Sequence, residues 1–175
     1  TLVTPSVKNY IGFTSPSSET INIDGEGNTV LKYYYSRNKY DLTVKAGNGI
    51  KSVSGSGEYF FEQEVEVSAE VKDGYTFKNW SNDKTTLSIK YVIPAKDSEL
   101  TANATLNTYN ISYELNGGSV AKANPTTYTV ESADITLNNP TKVGYTFKEW
   151  QVNGSKVDGK ILTGTTGNII FVAIF

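Results

Sequence analysis

The chain has 175 residues, 38% of them apolar and 19% charged, with a formal net charge of −2; it is too hydrophobic for disorder and long enough for one large domain or two to three small ones. There is no Cys, His or Met, which excludes disulfides, thiolate and imidazole metal sites, cysteine nucleophiles and the usual imidazole general base, so no cofactor is expected. No Lys/Arg block answers to a phosphate backbone, and the longest apolar run, Ile169 to Phe175, is too short to span a bilayer, so neither nucleic acid nor membrane insertion within this segment is expected.

In chain order, the first signals are Val7 and Gly12-Phe13-Thr14, then two alternating runs, Thr20 to Ile23 and Thr29 to Tyr35, around Asp24-Gly-Glu26-Gly-Asn28. That loop carries the oxygen atoms of a calcium site but lacks the following bidentate Glu, and reads as a hairpin turn. Tyr33-Tyr34-Tyr35 sets two rings on one face and Tyr34 on the other, which makes Tyr34 an exposed aromatic and a weak ligand-binding candidate. Tyr40, Leu42, Val44 and Ala46 alternate with polar residues, a half-buried strand, and Asn48-Gly49 offers the positive φ of a tight turn. Ser54-Gly55-Ser56-Gly57 lacks the nucleophile-elbow pattern and has no His to serve it. Glu62, Glu64 and Glu66 hold carboxylates at a spacing compatible with glycoside chemistry, yet they alternate with Val65, Val67 and Ala69 as the wet face of any half-buried strand does. Further on, Tyr109, Ile111, Tyr113 and Leu115 alternate again, Asn116-Gly117-Gly118 closes a turn, and Asp134 to Leu137 reads as another strand. Residues 121–128 have room for one short helical turn, limited by Pro125.

Aligning the chain with itself shows a period. Gly74-Tyr-Thr-Phe-Lys-Asn-Trp80 returns 70 residues later as Gly144-Tyr-Thr-Phe-Lys-Glu-Trp150, and Asn38-Lys39-Tyr40 returns 69 later as Asn107-Thr108-Tyr109. Leu100, Ala102 and Ala104 answer to Phe171, Ala173 and Phe175. Two units follow, 38–106 and 107–175, with 1–37 as the C-terminal part of a truncated preceding repeat that leans on the unit after it. Without an initiator Met, the chain is expected to be cut from something larger. Leu106-Asn107-Thr108 is too short and too poor in Gly, Pro and Ser to act as a loose linker, which predicts a semi-rigid, elongated array.

The stretch Tyr128 to Leu137 followed by Asn139-Pro140-Thr-Lys-Val-Gly144 to Trp150 resembles the internalin B-repeat, also called the Listeria/Bacteroides repeat, over all of 107–175. Residues 38–106, with Gly55-Ser-Gly57-Glu-Tyr59, Asp73 to Phe77, Trp80 and Ile93-Pro-Ala-Lys-Asp97, are similar to its divergent branch, and 1–37 resembles the end of a mucin-binding-protein-like repeat. The resemblance implies mainly β, tandem small β-grasp-like modules arranged end to end with very little helix, on the extracellular surface or cell wall of a bacterium, and no enzyme.

Gly74, Tyr75, Phe77 and Trp80, with Gly144, Tyr145, Phe147 and Trp150, then read as a structural core motif, since repeated modules need repeated core aromatics. Trp80 and Trp150 remain weak ligand-binding candidates that would stack on a sugar. On a regular strand the Trp faces away from the Tyr and Phe, so the strand is expected to bulge or end before the Trp in both copies. Repeat identity falls on apolar and turn positions while polar ones vary, as Asp41/Asn110 and Lys45/Glu114 show. The expected role is a non-catalytic spacer that presents a distal adhesive or catalytic domain and whose partners are its neighbouring repeats. The alternative is an adhesion module binding host glycan or protein directly.

Overall fold

The computed structural model describes residues 1–175, which form eighteen strands and no helix. The first 37 residues hold only two-residue strands, β1 (Leu2–Val3), β2 (Phe13–Thr14), β3 (Ile21–Asn22) and β4 (Ser36–Arg37), with β1 paired to β3 and β2 to β4, both antiparallel. The run Thr29 to Tyr35 alternates between half-buried and exposed residues but joins no ladder. Its rings are held another way, the Tyr33 hydroxyl donating to the Pro5 carbonyl at 3.0 Å and the Tyr35 hydroxyl to that of Lys8 at 2.8 Å. A segment this short has too little apolar surface for a core of its own; the T-shaped contact of Phe13 with Phe61, centroids 5.8 Å apart, ties it to the residues that follow.

The next seven strands are β5 (Lys39–Ala46), β6 (Ile50–Ser54), β7 (Gly57–Phe60), β8 (Glu64–Val71), β9 (Tyr75–Trp80), β10 (Ser88–Val92) and β11 (Ser98–Leu106). They build a four-stranded sheet in the order β7-β5-β11-β9 and a three-stranded sheet in the order β10-β8-β6. First and last strands, β5 and β11, run parallel side by side with Val44 opposite Leu100 and Ala46 opposite Ala102. Parallel neighbours need a long crossover; here strands rather than a helix supply it, because the intervening sequence alternates with period two. On β5 that alternation buries Leu42 and Val44, and on β8 Val65 and Val67. With Ile50, Trp80, Ile89, Ile93, Leu100 and Ala102 they make up the buried apolar set.

The last seven strands repeat the plan: β12 (Tyr109–Glu114), β13 (Thr127–Tyr128), β14 (Ile135–Thr136), β15 (Glu149–Val152), β16 (Ser155–Val157), β17 (Lys160–Ile161) and β18 (Ile169–Ile174). The main sheet runs β13-β12-β18-β15-β16, again with first and last strands parallel at its centre, Tyr113 opposite Phe171. A small ladder, β14 with β17, takes the place of β8 with β10. Ile111, Tyr128, Leu137, Trp150, Ile161, Phe171 and Ala173 form one buried cluster. The fold is mainly β, with first and last strands of each copy paired in parallel at the centre of its main sheet. The first strand of each copy is anchored alike: Asp97 Oδ1 accepts the Asp41 N–H and Asn168 Oδ1 the Asn110 N–H, each at 2.9 Å.

By packing, the chain divides into two compact units, one of Thr1–Glu70 with Asn79–Asn103 and the other of Val71–Lys78 with Ala104–Phe175. The turn and the strand start before Trp80 thus cluster with the repeat that follows them.

Two local expectations change. Residues 121–128 contain no helical turn. The Asn124 side chain is buried and bridges to residue 138 instead, accepting its N–H at 2.7 Å and donating to its carbonyl at 3.0 Å, a side-chain substitute for backbone pairing next to Pro125. And β9 runs unbroken from Tyr75 to Trp80, so the expected interruption before the Trp is present only in the second copy, where pairing with β18 begins at Glu149.

Candidate functional site

The two indoles sit inside. Trp80 is 0% and Trp150 2% exposed, so neither presents a face to a ligand. Trp150 lies among Tyr113, Phe147 and Phe171 at centroid distances of 6.1, 5.6 and 5.9 Å, and its N–H donates to Asn139 Oδ1 at 3.0 Å. The Trp80 N–H donates to the Thr86 carbonyl at 2.9 Å. Buried indoles need such an acceptor, and each copy found its own, one side chain and one backbone. Phe77 and Phe147 are half-buried.

The tyrosines of the motif part company. Tyr75 is half-buried and its hydroxyl donates to the Glu131 carboxylate; this separate partner on the face opposite Trp80 explains why β9 needs no bulge. Tyr145, placed in the core by its sequence position, is instead 63% exposed, with the Lys142 ammonium 4.4 Å from its ring centroid. Tyr34 is 78% exposed.

The glycine of the motif makes a knuckle that recurs three times. The N–H of Phe13 donates to the Tyr10 carbonyl, that of Tyr75 to Lys72 and that of Tyr145 to Lys142, at 3.2, 3.2 and 3.1 Å, with Gly12, Gly74 and Gly144 at φ of 80°, 78° and 81°. Only glycine adopts that φ without strain. In the first compact unit the Asn38 N–H donates to the Gly12 carbonyl at 2.9 Å, Thr14 Oγ1 donates to Asn38 Oδ1 at 2.5 Å, and the Phe61 ring lies where a Gly12 Cβ would be. In the second, Asn107 bonds Gly74 at 2.9 Å, Thr76 Oγ1 donates to Asn107 Oδ1 at 2.7 Å, and the Val130 side chain covers Gly74. Sequence reading assigned the glycine to the module's own core. The available signal was the recurrence of Asn38 and Asn107 two residues before Tyr40 and Tyr109 at the start of each copy.

The remaining candidates resolve into local structure. Glu64 pairs with Lys90 at 2.7 Å and Glu66 accepts from Ser88 at 2.9 Å; these are cross-strand contacts of the β8–β10 ladder. The Lys90 ammonium is held above its usual range by the Glu64 hydrogen bond. Ser54 bonds Ser68 at 2.7 Å, and Ser56 Oγ accepts the Val44 N–H at 2.8 Å, filling a gap in the β5–β7 ladder. Asp24 Oδ1 is turned onto the N–H groups of Glu26 and Asn28 at 3.1 and 3.2 Å, an Asx-type turn that occupies one oxygen of the carboxylate. Chelator is therefore expected to leave the thermal midpoint unchanged; a calcium-dependent rise would show that the loop is a metal site. An apolar groove of about 390 Å³ lies in the N-terminal segment, lined by Pro5, Ile21, Ile23, Leu31 and Tyr33 among others.

Two titrating groups predict the pH behaviour of the second copy. The Thr163 backbone N–H, then its hydroxyl, hold the Asp134 carboxyl below its usual range. A depressed folded value means stability that is present above the unfolded pKa of about 3.9 and is lost as pH falls through the folded one. D134N keeps an acceptor without a titrating proton, and its acid unfolding limb is expected to be shallower than the parent's. Burial pushes the Tyr113 hydroxyl up to about 12. Stability from this group is complete below the unfolded value of about 10 and declines as pH rises toward the folded one; Y113F is expected to remove a late component from the ultraviolet tyrosine titration.

Central parallel strands, a glycine knuckle answered by an asparagine just ahead of the next first strand, and one buried Trp per copy define a tandem array of small β modules. Residues 109–174 match the Listeria-Bacteroides repeat domain and residues 40–108 the divergent InlB B-repeat domain; these two stretches are tandem internalin-type B-repeats. It is similar to Internalin H of Listeria monocytogenes, 33% identical over 118 residues, which are 63% of this chain and 21% of the relative. It is also similar to a protein of Evansella cellulosilytica described as a Gly-rich membrane protein, 28% identical over 126 residues, which are 70% of this chain and 14% of the relative. The chain therefore spans about a fifth of the first relative and a seventh of the second. No solved structure matches. No helix is long and apolar enough to cross a membrane, which leaves β-barrels unaddressed.

Proposed function

We propose that this segment is a non-catalytic extracellular stalk of a bacterial surface protein, a spacer that holds a distal adhesive or catalytic domain away from the cell wall. The observation that carries the reading is where the repeated residues go. Trp80 and Trp150 are inside their modules, and Gly12 and Gly74 with their asparagines fasten a turn to the strand that follows. The shared chemistry is thus spent on cores and on fastening, while outward polar positions differ between copies. Residues 1–37 are read as part of a further repeat of the same array, and Internalin H as a relative supports placement at a bacterial surface.

The second reading, direct adhesion to host glycan or protein, is favoured by one observation, the apolar groove near Tyr33 with Tyr34 exposed beside it in sequence. A glycan-array and extracellular-matrix screen with the folded 175-residue chain separates the two. The spacer reading expects no saturable binding; reproducible saturable binding abolished by Y34A or by L31E in the groove would establish adhesion in its place.

A further inference from the structure

The three knuckles are alike in backbone and unlike in cover. Gly12 and Gly74 are buried, and Phe13 and Tyr75 beside them half-buried; Gly144 and Tyr145 are exposed. A Cβ built on Gly12 or Gly74 would overlap Phe61 or Val130, whereas one on Gly144 would meet nothing within 4 Å. Thr14, Thr76 and Thr146 are all exposed, but Thr14 and Thr76 each hold an asparagine side chain and Thr146 holds none. The residue before the glycine is no guide, since Ile11 is as outward on a covered knuckle as Val143 is on the uncovered one. What distinguishes the third knuckle is the missing cover over glycine and aromatic together with the missing asparagine partner of the threonine.

We propose that the Gly144-Tyr145-Thr146 surface is the docking site for a further repeat of the same kind, joined directly after Phe175. The two covered knuckles specify the occupant. The asparagine stands three residues after Tyr35 in one case and three after Ala104 in the other, and Phe175 is the counterpart of both. The covering side chain stands 23 residues after the asparagine in both, Phe61 after Asn38 and Val130 after Asn107. The occupant thus presents an asparagine at the third position after Phe175, whose N–H donates to the Gly144 carbonyl and whose side-chain oxygen accepts from Thr146. An apolar residue 23 positions later, by the same spacing, closes over Gly144 and Tyr145. Glycine is required there twice over, for its φ of 81° and for the room a β-carbon would take from the incoming side chain.

This rests on reading the chain as part of a tandem array, and the test keeps the two apart. The 175-residue chain is compared with the same chain extended by a second copy of residues 105–175, which sets an asparagine at the required position. Amide hydrogen exchange is followed at that asparagine, with the Asn107 amide as internal reference. The added amide is expected to be slowed about tenfold or more relative to an unstructured amide. T146A and G144V are expected to lower the thermal midpoint of the extended chain more than that of the parent. A fast added amide with equal effects of both variants in the two chains, while Asn107 stays slow, overturns the docking site and leaves the array reading standing. Fast exchange at Asn107 as well would remove the array reading itself. Protection of residues 144–146 that grows with concentration in the unextended chain would assign the surface to a second molecule instead, and would also overturn the proposal.

Discussion

Trp150→Ala is expected to cost about 3–5 kcal/mol, enough to unfold a module of this size, and Trp80→Ala the same in the first copy. The indole of Trp150 is 2% exposed and touches three aromatic rings, so truncation leaves a cavity that Tyr113 and Phe171 cannot close without leaving their strands. It also removes the indole N–H that donates to Asn139 Oδ1; Asn139 is exposed, so water replaces that donor and the cavity carries the cost. Trp150→Phe, which keeps part of the volume and loses the donor, should fall in between. Urea denaturation followed by tyrosine fluorescence and far-ultraviolet circular dichroism measures all three. Losses within about 0.5 kcal/mol, the range of ordinary surface substitutions, would show that the tryptophan is a displayed platform rather than a core residue.

The second large effect lies at the knuckle. Gly74→Ala is expected to cost on the order of 2–4 kcal/mol, from the left-handed conformation imposed on a β-carbon and from overpacking against Val130. Gly144→Ala meets the same φ but open space, so about 1–2 kcal/mol is expected from the conformation alone. The difference between the two isolates the contact with Val130 of the following repeat. A V130A background should recover part of the loss at Gly74 and none at Gly144. Equal costs at the two glycines in chains of identical length would mean that Val130 yields freely and that the knuckle carries no fastening role.

Much of the architecture was legible because strand alternation is a local property. Leu42 and Val44 on one strand, Val65 and Val67 on another, and Ile111 with Tyr113 on a third all announce a half-buried sheet, and the recurrence of Gly74 to Trp80 at Gly144 to Trp150 announces a repeat. Thr29 to Tyr35 shows the limit of that signal: it alternates in burial yet joins no ladder, since alternation reports which face is wet and says nothing about whether a partner strand lies alongside. The helical turn allowed at 121–128 failed for a related reason. A buried Asn124 reaching Asn138 is a contact across 14 residues, which no local propensity encodes.

By itself, the sequence determined a mainly β fold, two copies of one module, and an interior chemistry without thiols or imidazoles, because composition and periodicity are sums over neighbouring residues. Only the tertiary structure decided what each member of the repeated heptad does. Tyr75 and Tyr145 occupy the same motif position, yet one is half-buried with its hydroxyl on Glu131 and the other is exposed over Lys142. Gly74 is buried beneath Val130 and Gly144 lies open. The physical reason is that burial is a property of what comes to rest against a residue. For the knuckle, that partner lies 56 residues down the chain, in the repeat that follows.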